Sequence, residues 1–298
     1  MLGAVELGGT KCVAAIGDAD GHVVAETRVP TTSVGATLGA LVSFFEAQRG
    51  ALGLIEAIGI GSFGPVDLNP QSPTYGYITT TPKPGWAQAD LRGRIQRALN
   101  VPVAFDTDVN VAAFGEHYWV SENKALDPLL YMTVGTGIGV GGLVNGQLLH
   151  GLLHPEAGHM RLPRDPQRDP FTGACPYHGD CFEGLACGPA MAKRWGQPAE
   201  TLPADHPAWQ LEAHYIALAV MNLTLVVAPQ KIVIGGGVMQ QSGVIEMVRR
   251  EVVESLNGYL QTDRITRDID QFIVLPALGN QAGMLGAIAL AQVEHERA

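Results

Sequence analysis

Two cysteines bracket a histidine in Cys175-Pro176-Tyr177-His178-Gly179-Asp180-Cys181, and a second histidine, His159, ends the upstream run His154-Pro155-Glu156-Ala157-Gly158-His159. Thiolates and imidazoles in a two-Cys, two-His set suit tetrahedral zinc and leave no open position for water. Such a site holds a loop and does no chemistry of its own. Four cysteines in all could also pair as disulfides, but the C-x-x-H-x-x-C clustering favours metal in a reducing cytoplasm. Chemistry must come from elsewhere. The run Asp106-Thr107-Asp108-Val109-Asn110 follows a strand-like segment, Val101–Phe105, and opens a helix bearing Ala112, Ala113 and Glu116. The simplest role for Asp106 is a helix cap. Two acids and an amide at a strand end also suit proton transfer, provided a carboxylate lies within hydrogen-bond reach of a hydroxyl.

Glycine turns supply the other half of a reaction site. Gly8-Gly9-Thr10-Lys11 joins two strand-like segments and lacks the helix of a Walker loop. Its glycines admit close approach of backbone amides to phosphates, and its threonine and lysine add a hydroxyl and a charge. Thr133-Val134-Gly135-Thr136-Gly137 repeats that arrangement in the second half of the chain, so two facing turns read as a clamp for nucleotide phosphates. Gly235-Gly236-Gly237, after the buried-strand pattern Lys231–Ile234, fits either a third approach, toward an adenosine, or a plain strand-to-helix turn.

The elements that must position these groups recur with one rhythm. Gly3–Leu7, Cys12–Ile16 and His22–Val29 read as three strands joined by the glycine turn and an Asp20-Gly21 hairpin. An amphipathic helix over Leu38–Gln48 and a strand at Ala57–Gly61 follow. Leu129–Val134, Ile138–Val144 and Gln147–Leu149, with an Asn145-Gly146 hairpin, repeat the three strands, and long helices are expected near Trp209–Ala228 and Val244–Tyr259. A duplicated β-β-β-α unit predicts two related α/β domains around a ligand cleft. Two stretches of weak periodicity, Asp67–Asp90 and Leu152–Glu183, are long enough to be functional loops at that cleft.

Composition sets the outer limits. A chain of 298 residues with 46% hydrophobic and 16% charged residues can bury a large core, and 37 glycines imply many tight turns. A net charge of −10 argues against nucleic acid as a partner, though backbone amides can still hold a small anion. The N-terminal segment reads as a strand with no basic, cleavable leader, and Tyr215–Val227 is too short to span a membrane. A cytoplasmic protein is expected.

The runs Glu6-Leu7-Gly8-Gly9-Thr10-Lys11, Asp108-Val109-Asn110-Val111-Ala112-Ala113-Phe114-Gly115-Glu116, Thr133-Val134-Gly135-Thr136-Gly137-Ile138-Gly139 and Glu156-Ala157-Gly158-His159 together resemble the ROK family, over essentially the whole chain. That family comprises sugar kinases and related repressors on the actin-like, ribonuclease-H-like fold. Ser62-Phe63-Gly64-Pro65-Val66-Asp67, Thr79-Thr80-Thr81-Pro82-Lys83-Pro84-Gly85-Trp86 and the Cys175–Cys181 run resemble its bacterial fructokinase branch. The resemblance implies an ATP- and Mg²⁺-dependent hexose kinase, fructose favoured, with Asp108 as catalytic base. Asn110, Glu156 and His159 would serve the sugar, and His159, Cys175, His178 and Cys181 a structural Zn²⁺. Gly8, Gly9, Thr10 and Lys11 would face Thr133, Gly135, Thr136 and Gly137 across the nucleotide, with Gly235, Gly236 and Gly237 nearby. Glu6 would help place magnesium through water. It also implies a homodimer and lobes of residues 1–117 plus 281–298 and 118–280, the latter carrying a zinc loop at about 152–187.

Several positions are open to duller readings. Cys187 stands where serine is usual and reads as a small buried residue, and Gly279-Asn280-Gln281-Ala282-Gly283 replaces a more common Gly-Asp-Asn-Ala-Gly. His150 and His154 are expected to be structural. Trp86 suits sugar stacking or loop anchoring equally. Arg92, Arg94 and Arg97 fit a solvated helix face, and Glu183 fits either support of the zinc site or simple exposure. A sugar-responsive repressor would need a helix-turn-helix before Glu6, and a zinc hydrolase would need an open ligand position; neither is expected.

Overall fold

Turns rich in glycine let neighbouring strands reverse over two or three residues, and each half of the chain uses one to start a sheet. The computed structural model describes residues 1–298. Its strands are β1 (Leu2–Leu7), β2 (Lys11–Gly17), β3 (Val23–Pro30), β4 (Ala57–Ser62), β5 (Val103–Thr107), β6 (Leu129–Val134), β7 (Ile138–Val144), β8 (Gln147–Leu148), β9 (Lys231–Gly235) and β10 (Ile273–Val274). The first sheet runs β3-β2-β1-β4-β5 and the second β8-β7-β6-β9-β10. Adding five to each strand of one order gives the other, so the duplication read from the glycine turns is a duplication of topology. In both sheets the first three strands are antiparallel and the fourth and fifth are added in parallel.

The helices are α1 (Val34–Leu52), α2 (Arg92–Leu99), α3 (Asp108–Trp119), α4 (Phe182–Ala186), α5 (Gly188–Trp195), α6 (Ala208–Val227), α7 (Val244–Leu256), α8 (Asp263–Thr266), α9 (Ile269–Phe272) and α10 (Ala282–Arg297). The first begins four residues before the expected Leu38, because Ser33 caps it by accepting the Ala36 N–H at 3.3 Å. Thr37, Leu38, Leu41 and Phe45 form its buried stripe. Helix α10 returns to the first half, packing on β1, β4 and α3. The crossing with α3 is close enough that a Cβ at Gly286 would strike the Val111 carbonyl.

Helix α6 is long and apolar enough to cross a membrane by length and composition. Half of it is buried here, and Ala213, Tyr215, Ile216, Ala219 and Val220 belong to the core of the second half. A separate core fills the first half around Val5, Leu7, Phe45, Ile58, Ile60 and Trp86.

Candidate active site

Parallel registers bring the site together. Leu7 of β1 lies beside Ser62 of β4, which lies beside Thr107 of β5. The next residues, Gly8 at the first glycine turn and Asp108 at the start of α3, therefore leave the same sheet edge two strand spacings apart, about 10 Å. Thr107, not Asp106, caps α3: its hydroxyl accepts the Asn110 N–H at 3.2 Å. The expected cap, Asp106, is buried and turns inward, taking the Thr107 N–H at 2.7 Å, the Asn110 amide at 2.8 Å and His150 Nε2 at 2.8 Å. Asn110 is also engaged, because its amide reaches the Leu149 carbonyl and its Oδ1 accepts Gly142 N–H at 2.9 Å. It is wholly buried and stiffens the site floor, while its Oδ1 keeps one lone pair unused.

Asp108 faces a cavity of about 330 Å³ lined by Glu6, Tyr131, Thr133, Gly235, Gly236, Asn280 and further residues of β9 and the α10 approach. Burial, then the facing Glu6 carboxylate and, more weakly, Glu156 push its pKa up to about 7, against backbone N–H hydrogen bonds from Val109 and from Asp108 itself. Glu6 is raised as well, chiefly by burial. The cleft thus holds two carboxylates of raised proton affinity, Asp108 among them at about neutrality, which suits a general base.

Thr133, Gly235 and Gly236 line that cavity, whereas Gly8, Gly9, Thr10, Lys11, Gly135, Thr136, Gly137 and Gly237 stand outside its lining. Gly236 must be glycine: its φ is 96°, and a Cβ there would collide with the Val134 backbone. The first turn is braced by Thr31, whose hydroxyl donates to the Gly8 carbonyl at 2.7 Å, and by Lys83, whose ammonium donates to the Gly9 carbonyl at 2.7 Å. Lys83 escaped the sequence reading because only the fold brings the loop over 67–90 against the turn.

The second set of groups is the Cys/His cluster. With Zn–S about 2.3 Å and Zn–N about 2.0–2.1 Å, tetrahedral angles would separate neighbouring sulfur and nitrogen ligands by about 3.5–3.6 Å. Cys175 Sγ lies 3.7 Å from Nδ1 of both His159 and His178, and Cys181 Sγ lies 3.5 Å from His159 Nδ1. All four ligand atoms fall within 4.8 Å of one another. The residues fit zinc. Burial holds the metal-free Cys181 thiol up at about 11, so it is zinc that would make it a thiolate.

Glu156 and His159 lie on one turn, with the Glu156 carbonyl accepting His159 N–H at 2.9 Å. The Glu156 pKa is raised by the surrounding protein and by Glu183, although over a third of its side chain meets solvent. Glu183 itself accepts Ile138 N–H at 3.0 Å, tying α4 to the second glycine turn. His154 is buried and accepts Val66 N–H at 3.0 Å, a structural role. Trp86 is fully buried with its indole N–H on the Thr32 carbonyl at 2.8 Å, so it anchors a loop and stacks on no sugar. Of the three arginines expected on a solvated face, Arg92 is half-buried, bonded to the Val103 carbonyl and stacked on Tyr75, while Arg97 pairs with Asp90 and Arg94 is exposed. Cys187 is buried, with its thiol pushed up to about 12.

The model of the ROK family matches residues 2–294. The chain belongs to the ROK family. It is 44% identical over 292 residues to the fructokinase of Pediococcus pentosaceus, covering 98% of both chains. Identity to the fructokinase of Zymomonas mobilis is also 44%, over 294 residues, covering 98% of this chain and 96% of that one. Among solved structures it resembles the ROK hexokinase of Thermus thermophilus, with a TM-score of 0.76, 26% identity, and coverage of 100% and 99%. The fold is therefore the actin-like ATPase fold of ROK sugar kinases.

Proposed function

We propose that the protein is an ATP-dependent fructokinase that phosphorylates D-fructose at O6. The observation that carries this reading is Asp108, a carboxylate poised at about 7 on the wall of the cavity and on the same sheet edge as a glycine turn suited to phosphates. Asp108 accepts the O6 proton, O6 bonds to the γ-phosphorus, and the bond to the β-phosphate oxygen breaks to release ADP. Thr133, Gly235 and Gly236 border the nucleotide, with Gly8–Lys11 and Gly135–Gly137 at its phosphates. The facing Glu6 and Asp108 carboxylates repel each other, an arrangement that a divalent cation relieves, and Glu6 would hold Mg²⁺ through water. When bound, that ion supplies charge neutralisation at the phosphates.

Glu156 and His159 are assigned to sugar hydroxyls. His159, Cys175, His178 and Cys181 would hold a structural zinc that orders this loop. Residues 1–117 with 281–298, and residues 118–280, are assigned as lobes that close over the sugar and exclude water, a division supported by the return of α10 to β1 and β4. We place the enzyme in the cytoplasm as a homodimer; the exposed Leu225, Val226 and Tyr259 are apolar surface that a second copy would cover.

Fructose is favoured by the fructokinase relatives and by the Thr79–Trp86 and Cys175–Cys181 runs. A coupled ADP-release assay with fructose, mannose, glucose and N-acetylglucosamine, on protein of known zinc content, tests it. Fructose is expected to give the highest kcat/KM; a preference for any other sugar overturns the assignment.

A further inference from the structure

The chain has five lysines, Lys11, Lys83, Lys124, Lys193 and Lys231, and two of them meet at the first glycine turn. Lys11 lies in the turn itself. Lys83 comes from the opposite side, out of the loop over 67–90, and places its ammonium 2.7 Å from the Gly9 carbonyl. A peptide carbonyl is no counter-ion. That contact uses one of three N–H donors and leaves the positive charge unneutralised. The ammonium also forms no ion pair, unlike the surface arginines Arg28 and Arg97.

The position of Lys83 is fixed relative to the turn. Trp86, three residues on, is fully buried and its indole binds the Thr32 carbonyl, while its N–H closes a turn on the Lys83 carbonyl at 3.2 Å. The neighbouring Thr31 holds the turn from the same side, through its hydroxyl to Gly8 and its N–H to the Thr10 carbonyl at 2.9 Å. Loop and turn thus share one anchor, Thr31–Thr32. The cleft beyond is acidic, with Glu6 and Glu156 both adding to the burial that raises the proton affinity of Asp108. A transferred phosphoryl group carries its charge on three equatorial oxygens, and such a cleft needs fixed positive charge at that point.

We propose that Lys83 is a catalytic residue whose ammonium leaves the Gly9 carbonyl, or shares it, to bind the oxygens of the phosphoryl group in flight. The idea rests on the phosphotransfer reading. Lys83 exchanges no proton: Asp108 takes the hydroxyl proton, the O–P bond to the sugar forms, the bond to ADP breaks, and the ammonium stabilises charge on the moving group throughout. Its charge is also what separates ATP from ADP at this turn.

The test compares wild type, Lys83→Met, Lys83→Gln and Lys83→Arg, all zinc-loaded and with matching melting curves. Removing the charge should lower kcat about 10²–10³-fold, the range seen when one preorganised donor to developing charge is lost. Lys83→Arg should recover part of that loss and Lys83→Gln none. Calorimetric titration with AMPPNP and with ADP, in the presence of fructose, should show weaker AMPPNP binding and unchanged ADP binding in Lys83→Met. A kcat within threefold of wild type overturns the proposal. Equal weakening of AMPPNP and ADP also overturns it, because Lys83 then only props the turn. Should wild type phosphorylate no hexose, the function reading fails, and the AMPPNP-to-ADP comparison still decides whether Lys83 reads the γ-phosphate.

Discussion

Replacing Asp108 by Asn keeps the shape of the side chain and removes its charge, and the structure predicts two opposite effects. The carboxyl is held at about 7, against 3.8 for an ordinary aspartate, by burial and by Glu6 and Glu156. A shift of about 3 units at about 1.4 kcal/mol each means that the ionised side chain costs the fold at most about 4 kcal/mol. The sign follows from linkage. Below pH 4 both folded and unfolded states are protonated and the cost is absent. Between pH 4 and 7 the unfolded chain ionises first, so stability falls as pH rises, and above pH 7 the cost is constant. The advantage of Asp108→Asn should therefore grow by about 2–3 kcal/mol between pH 5 and pH 8, a gain of a few degrees in Tm for a chain of this size. Turnover should drop about 10²–10⁴-fold, and the acid limb of the wild-type kcat/KM profile should fall near pH 7. Melting curves without nucleotide or Mg²⁺, at both pH values, and steady-state kinetics provide the readouts. A Tm difference that does not change with pH, or near-wild-type turnover in the variant, would refute the reasoning.

Removal of the metal with a chelator should release about one zinc per chain, expose the loop over 160–181 to proteolysis and raise KM for fructose far more than KM for ATP; an apo-protein with unaltered fructose kinetics would remove the role given to His159. Gly236→Ala forces a side chain into a φ of 96° and against the Val134 backbone, so KM for ATP should rise at least about tenfold, the equivalent of about 1.4 kcal/mol. Gly237→Ala, with open space around the added Cβ, is the control and should behave as wild type.

What could be read in the residues alone was whatever depends on local chemistry. The glycine pairs at Gly8-Gly9 and Gly135–Gly137 marked the strand reversals, and their repetition disclosed the duplicated sheet order, because turn geometry is set by a few adjacent residues. The Cys/His spacing disclosed the cluster for the same reason, three of its four donors lying within seven residues. Asp108 was legible as a strand-end acid. Its pKa was not, since that depends first on burial and then on Glu6 and Glu156, which are distant in sequence.

Competition between neighbouring polar groups was likewise decided only by packing. Thr107 took the cap expected of Asp106, because Asp106 is drawn inward by Asn110 and His150, and His150 arrives from beyond β8. Trp86 is buried rather than open to sugar because the β3–α1 connection offers its indole a carbonyl. Lys83 reads in sequence as one more charge in a proline-rich loop, and only the anchor at Thr31–Thr32 sets it against the first glycine turn. The sequence by itself determined the chemistry available to this protein: a base, two glycine turns and a set of metal donors. Tertiary structure decided which of those groups face one another across the cleft, because burial and the field of distant carboxylates exist only once the sheets are assembled.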